Sequence, residues 1–224
     1  MRDGKEVFLN GEGDSYFIRN KEVMENRTGG GYTPYSIVKD FLYSQNICGK
    51  DKKILEVGCC FGHNLAYLRE NLGISCYGIE PSLEAVNYGM EKYLDIVLKQ
   101  GTSDELLYSD NMFDVVIMGF CLFWVDRKYL LKSAAEADRV LRDKGFLVIH
   151  DFDTAYSYKR NNIHNAEAFT YKMDYAKLFL ANPQYYLVEK RSLLEMGNGF
   201  HPDIQERRSL QILYKDCVTN TYIY

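Results

Sequence analysis

Residues 52–58, KKILEVG, form a short apolar run with β-branched residues that stops at Gly58. A glycine-containing turn to Gly62 follows, and NLAYLRENLG then repeats Leu65, Leu68 and Leu72 at helical spacing before Gly73. That order is a strand, a turn and a helix. It recurs downstream. ISCYGIE is followed by SLEAVNYGMEKYL, with Ser82 as N-cap, and then by the short strand IVLKQ. FDVVIMGF is a buried strand, RKYLLKSAAEADRVLR a long amphipathic helix stopped by Gly145, and FLVIHDF another buried strand. Strands alternating with helices imply an α/β fold with a parallel sheet and right-handed crossovers.

The flanks read differently. Residues 1–31 are a polar lead-in ending in Gly29, Gly30 and Gly31. Thr33 then caps a helix that begins at Pro34 and carries Ile37, Val38, Phe41 and Leu42 on one face. Residues 153–173 are polar and tyrosine-rich, a loop or small cap, and DYAKLFLAN is a helix ended by Pro183. YYLVEKRSL and RRSLQILYK read as a closing pair of strands. The expected organisation is one domain over 1–224: an N-terminal cap (1–50), a cofactor-binding core (51–152), a substrate-side cap (153–183) and the strand pair (184–224).

Hydrophobic residues make up 46% of the chain, enough for a sizeable core. The net charge of -4 argues against a nucleic-acid partner, which a basic surface would hold. No apolar run approaches the roughly 20 residues that span a bilayer. The polar start MRDGKEVFLNGEGD lacks a signal-peptide pattern, so the expected location is cytoplasmic. Of six cysteines only Cys59 and Cys60 are close, and adjacent cysteines suit neither a CxxC pair nor a zinc knuckle. They read as small core residues, with no metal site.

The turn at 58–62 narrows the ligand. A dinucleotide site wants G-x-G-x-x-G, but here Cys60 replaces a glycine and His63 stands three residues beyond it. A P-loop would need Gly-Lys-Ser/Thr, which is absent. Glu56, two residues before Gly58, would repel a pyrophosphate but could orient the turn or meet an ammonium group. Glu80 ends the next strand, 22 residues after Gly58, where an acid accepts hydrogen bonds from ribose hydroxyls. Ribose without phosphate, joined to an amino acid, describes S-adenosylmethionine (SAM).

ILEVGCCFGHNLAYL resembles the first motif of class I SAM-dependent methyltransferases, and GIEPS their second. GTSDELLYSDNMFDVVIMGFCLFWV resembles their adenine-contact stretch and fourth strand, and EADRVLRDKGFLVIHDF the helix and fifth strand. The likeness covers residues 54–152 in order. It implies a Rossmann-like, seven-stranded, mostly parallel sheet with helices on both faces and an antiparallel C-terminal pair. It also implies cofactor contacts from Glu56, Gly58, Cys60, Gly62, Glu80, Pro81, Thr102, Ser103, Gly119 and Phe120. Cys60 stands at the family's middle glycine as a small substitute rather than a nucleophile. Thr102 stands where an aspartate often holds the adenine amino group. In many relatives the N-terminal segment folds over the cofactor, which would bring in Tyr16, Arg19 and Asn20.

The acceptor must sit beyond the carboxyl ends of the strands. If it is a hydroxyl, a base must take its proton. Asp151, favoured over its neighbour His150 because only one of the two can face the site, His164 and Tyr171 are the candidates. Arg160 and Lys172, with Lys159 nearby, are the candidates for holding an acceptor phosphate. His63 is left open between opening the helix and touching the cofactor. Phe123 and Trp124 read as packing. The tail is similar to methyltransferases encoded with bacterial surface-polysaccharide genes, including those that decorate capsule sugars and phosphoramidate groups. That likeness implies a small phosphorylated or nucleotide-activated acceptor. An N- or C-methyltransferase and a non-catalytic SAM-binding protein are the alternatives, and a homodimer is left open. A nucleic-acid methyltransferase is disfavoured by the missing N/D-P-P-Y/F motif after FDVVIMGF.

Overall fold

A computed structural model describes residues 3–27, 34–195 and 197–217. Gly29 to Gly31 and the Thr33 cap lie outside them. The sheet begins with β1 (Lys53–Val57), β2 (Ser75–Glu80), β3 (Val97–Gln100), β4 (Phe113–Gly119) and β5 (Leu141–Phe152). These five are parallel, in the order β3-β2-β1-β4-β5. A separate hairpin follows, β6 (Tyr158–Asn161) with β7 (Phe169–Lys172). The chain then returns to the sheet through β8 (Tyr185–Leu194), the two-residue β9 (Gly197–Asn198) and β10 (Arg208–Lys215). β10 inserts antiparallel between β5 and β8, and β9 extends the expected seven strands to eight.

A parallel strand covered on both faces must be apolar throughout. Val115 to Met118 of β4 accordingly expose nothing. Their side chains alternate between two cores. One face receives α3 (Pro34–Ser44), α4 (His63–Leu72) and α5 (Leu83–Lys92), which bring Ile37, Val38, Leu42, Leu65, Leu68 and Val86 onto Ile54, Val115 and Ile117. The other receives α6 (Arg127–Val140) and the short α7 (Lys177–Leu180), whose Leu130, Ala134, Ala137 and Phe179 share a core with Leu55, Val116 and Met118.

The N-terminal segment is more ordered than its composition suggests. A short helix, α1 (Gly4–Val7), a turn opened by Gly11 at φ +136° and a long helix, α2 (Gly13–Arg27), run beside the carboxyl ends of the strands. Phe17 anchors this segment against Phe61 and Tyr88. Asp14 accepts the Ser82 hydroxyl at 2.6 Å, and Lys5 pairs with Asp104 at 2.9 Å.

Three expected elements change. α6 ends at Val140, and the chain turns extended at Leu141. Gly145 therefore lies within β5 rather than stopping the helix. A Cβ there would meet the Arg142 and Asp114 carbonyls at 2.9 Å. The 153–173 segment contains the β6–β7 hairpin. DYAKLFLAN yields only the four-residue α7, because Tyr175 and Ala176 enter the core in a preceding turn.

Candidate active site

A cavity of about 610 Å³ opens at the carboxyl ends of the parallel strands. Gly58 at φ +76° leaves β1 and starts the turn. A Cβ on it would stand 2.5 Å from that of Cys121, so only glycine fits. Cys60 adopts φ +50°, the left-handed region, at a cost of about 1–2 kcal/mol for a residue with a Cβ. Its side chain is buried beside Phe17, Phe61 and Ala85. Burial pushes its thiol well above the ordinary range, so a thiolate nucleophile is disfavoured.

Glu80 closes the turn from the neighbouring strand. One carboxylate oxygen accepts the Cys60 amide at 2.9 Å and the other the Ser82 amide at 3.1 Å. Glu56 lies beneath. It accepts the Tyr35 hydroxyl and, at 3.2 Å, the Asn64 amide on one oxygen. Its other oxygen is buried without a partner. Burial pushes both acids up to about 7, with like charge adding in each case. Among the described residues, neither acid pairs with a Lys or Arg. The site thus has a buried carboxylate, Glu56, and a half-buried one, Glu80, with no cation of its own paired to either.

Tyr16, Gly58, Cys60, Glu80, Pro81, Thr102, Ser103, Gly119 and Phe120 all line the cavity, as do Asn20 and His63. Glu56 lies behind Tyr35 and Asn64, which do line it. Gly62, at φ +79°, is set back from the wall; it opens α4 and packs on Leu98. Arg19 does not reach the cavity, because it pairs with the buried Glu12 at 2.6 Å.

The acceptor-side expectations need correction. Asp151 is buried away from the cavity. It caps the turn at Leu122–Trp124, accepting the amides of Leu122 at 2.9 Å and Phe123 at 3.3 Å. His150, its neighbour on the opposite side of the strand, lines the cavity instead. His164 sits exposed near the tip of the β6–β7 hairpin, off the cavity wall. Tyr171 stacks under the Arg127 guanidinium and lines a separate hollow of about 150 Å³ together with Lys159. Arg160 faces solvent and pairs with Glu206 at 3.2 Å. Lys172 is buried, donating to the Gln205 carbonyl and to Glu206, each at 2.8 Å. None of these lysines and arginines points into the main cavity.

Several wall residues were not anticipated, among them Lys5, Tyr35, Asp126, Tyr129 and Arg208. Arg208 begins β10, and its guanidinium lies over the rings of Phe120 at 5.0 Å and Phe152 at 5.3 Å. Phe120, itself at φ +55°, also stacks on the His150 imidazole at 5.2 Å. Burial, and then the Arg208 charge, push His150 down to about 4. The register that brings β10 beside β5 sets these groups together, and no local motif announces it.

The residues present suit SAM. The Gly58 cradle has no room for a Cβ, and Glu80 is fixed on the cavity wall by two amides. The unpartnered Glu56 oxygen and the two uncompensated acids favour a ligand with positive charge. Residues 55–149 match the family model described as a methyltransferase domain. That match, together with the fold, supports a SAM-dependent methyltransferase for this chain. Its fold is similar to that of a Burkholderia thailandensis 1,6-didemethyltoxoflavin-N1-methyltransferase solved with 1,6-didemethyltoxoflavin and S-adenosylhomocysteine (TM-score 0.67, 15% identity, 90% of this chain and 86% of that one). A SAM-dependent methyltransferase of Methanosarcina mazei gives a TM-score of 0.63 at 18% identity, over 78% of this chain and 97% of that one. An uncharacterised protein of Haemophilus influenzae is 27% identical over 120 residues, 50% of this chain and 47% of that one. The chain thus spans about half the length of the curated relative it matches. Among the described residues, no helix is long and apolar enough to cross a membrane, and no group of three His, Cys, Asp or Glu could hold a metal.

Proposed function

We propose that the protein is an O-methyltransferase acting on a small, phosphorylated or nucleotide-activated precursor of a surface polysaccharide, at a sugar hydroxyl or a phosphoramidate group. In this reading it works in the cytoplasm as a single domain. The supporting observation is that one cavity joins Glu80, 22 residues after the glycine of the turn, to a half-buried imidazole, His150. SAM, when bound, supplies an electrophilic methyl group.

His150 ends its run of β5 opposite Gly119 of β4, on the wall of the cavity. With its pKa pushed down to about 4, it is neutral at physiological pH and holds a free lone pair for a proton. The low pKa makes it a weak base, so it takes the hydroxyl proton only late, as the new carbon–oxygen bond forms and acidifies that hydroxyl. Phe120 holds the ring by stacking, which fixes its direction. Trp124, Phe8 and Tyr16 pack together over the same cavity and restrict water. The polysaccharide context rests on the likeness of the tyrosine- and asparagine-rich tail, and the anionic acceptor on the basic side chains Lys5 and Arg208 in the cavity wall.

The test is calorimetric titration with S-adenosylhomocysteine, followed by a methyl-transfer screen of sugar phosphates, nucleotide sugars and phosphoramidates. Turnover of one of these, lost in His150→Gln with unchanged S-adenosylhomocysteine affinity, is the expected outcome. Turnover confined to amines or carbon acids would replace the reading with an N- or C-methyltransferase. Binding without any turnover would leave a non-catalytic SAM-binding protein.

A further inference from the structure

Arg208 stands out among the cationic side chains of the described residues. Its side chain is about four-fifths buried, yet its carboxylate contact is a long one, 3.8 Å to Glu195. Lys5, the other cation on the cavity wall, is already paired with Asp104 at 2.9 Å. A guanidinium carries five N–H donors in a fixed fork. Here two aromatic faces hold it in place, but they accept no conventional hydrogen bond. Glu195 is itself mostly exposed, at the end of β8, and also lines the cavity. A loosely paired, oriented guanidinium in a cavity is a bidentate site for an oxyanion.

We propose that Arg208 anchors an oxyanion of the acceptor, and that Glu195 is the placeholder this oxyanion displaces. The inference deepens the methyltransferase reading and rests on taking this cavity as the acceptor site. It fixes a geometry: Arg208 and His150 flank the same Phe120 ring, so the anionic group lies only a few bonds from the methylated oxygen. It also fixes a selectivity. An acceptor with no oxyanion leaves Glu195 on Arg208, whereas one with an oxyanion replaces a long, solvent-weakened pair with short charge-assisted hydrogen bonds. A phosphoryl and a carboxyl group share this chemistry, and the experiment separates them.

The test follows the histidine ring signals of the full chain by NMR at constant pH, with S-adenosylhomocysteine present. Methyl phosphate and acetate are titrated in parallel. The wild type should show saturable shifts of the His150 ring, and the tighter anion names the acceptor class. Arg208→Gln should weaken that binding at least about tenfold, with Arg208→Lys in between, because an ammonium keeps the charge and loses the fork. Glu195→Gln should tighten it about threefold or more. S-adenosylhomocysteine affinity should not change in any variant, which also shows that each one folds. Equal anion affinity in the wild type and Arg208→Gln, or no shift at His150 with either anion, would overturn the proposal. Loss of S-adenosylhomocysteine binding in the wild type would instead sink the methyltransferase reading. The same anion titrations on the ligand-free protein would then still decide the role of Arg208.

Discussion

The carboxylate of Glu80 accepts the backbone amide of Cys60 at 2.9 Å, tying the end of β2 to the middle of the glycine turn. The bond holds Cys60 in a left-handed conformation that its side chain opposes. One acid therefore shapes the turn and lines the cavity. Glu80→Ala should strand the Cys60 and Ser82 amides and weaken S-adenosylhomocysteine binding by about 1–3 kcal/mol. Calorimetry measures this directly, and unchanged affinity would remove the cofactor from this turn.

Gly58→Ala places a methyl group 2.5 Å from Cys121 Cβ, at a φ of +76°. Side-chain movement cannot relieve a clash between two Cβ atoms. The expected cost is about 1–3 kcal/mol of stability, from overpacking and left-handed strain together. S-adenosylhomocysteine binding should fall with it. Urea unfolding checks the first effect and calorimetry the second. A variant as stable as wild type would mean that the turn and Cys121 are farther apart than described.

Stability should depend on pH in an unusual direction. Glu56, Glu80 and Asp151 are each pushed up to about 7 by burial, from ordinary values near 4. Between those values the folded chain holds more protons than the unfolded chain, so stability falls as pH rises through this window. His150, pushed down to about 4, acts the other way: its contribution is lost as pH falls from about 6.5 toward 4. Three groups outweigh one near neutrality. The ligand-free protein should therefore have a lower Tm at pH 8 than at pH 6, and a thermal melt series tests it. A Tm that rises over this range would show that the acids are already ionised.

The cavity wall around the glycine turn was readable because local sequence encodes it. The apolar run, the glycine turn and the helix place Gly58, Cys60 and Glu80 within one strand–turn–helix–strand unit, so spacing alone brings them together. The acceptor side was not, because it is assembled by long-range pairing. Whether His150 or Asp151 faces the cavity depends on which way β5 is rolled between β4 and β10. Asp151 was drawn inward by the three backbone amides at Leu122, Phe123 and Phe152. Arg208 enters only because β10 inserts beside β5, more than 50 residues later in the chain. Lys172 and Arg160 read as anion holders by composition, but Glu206 neutralises both.

The two neighbours His150 and Asp151 should separate cleanly in experiment. Asp151→Ala leaves the buried amides of Leu122 and Phe123 without their acceptor, and should cost about 1–3 kcal/mol in urea unfolding. His150→Gln removes no cap and should leave stability nearly unchanged. It should instead lower O-methyl transfer about 10²–10⁴-fold, the usual worth of a positioned base. His164→Ala, at the exposed hairpin tip, should change neither. Ring NMR adds a check that needs no acceptor: one of the four histidines should stay neutral from pH 8 down to about 5. If all four become charged by pH 5, His150 is solvated, and its place as the neutral base is lost.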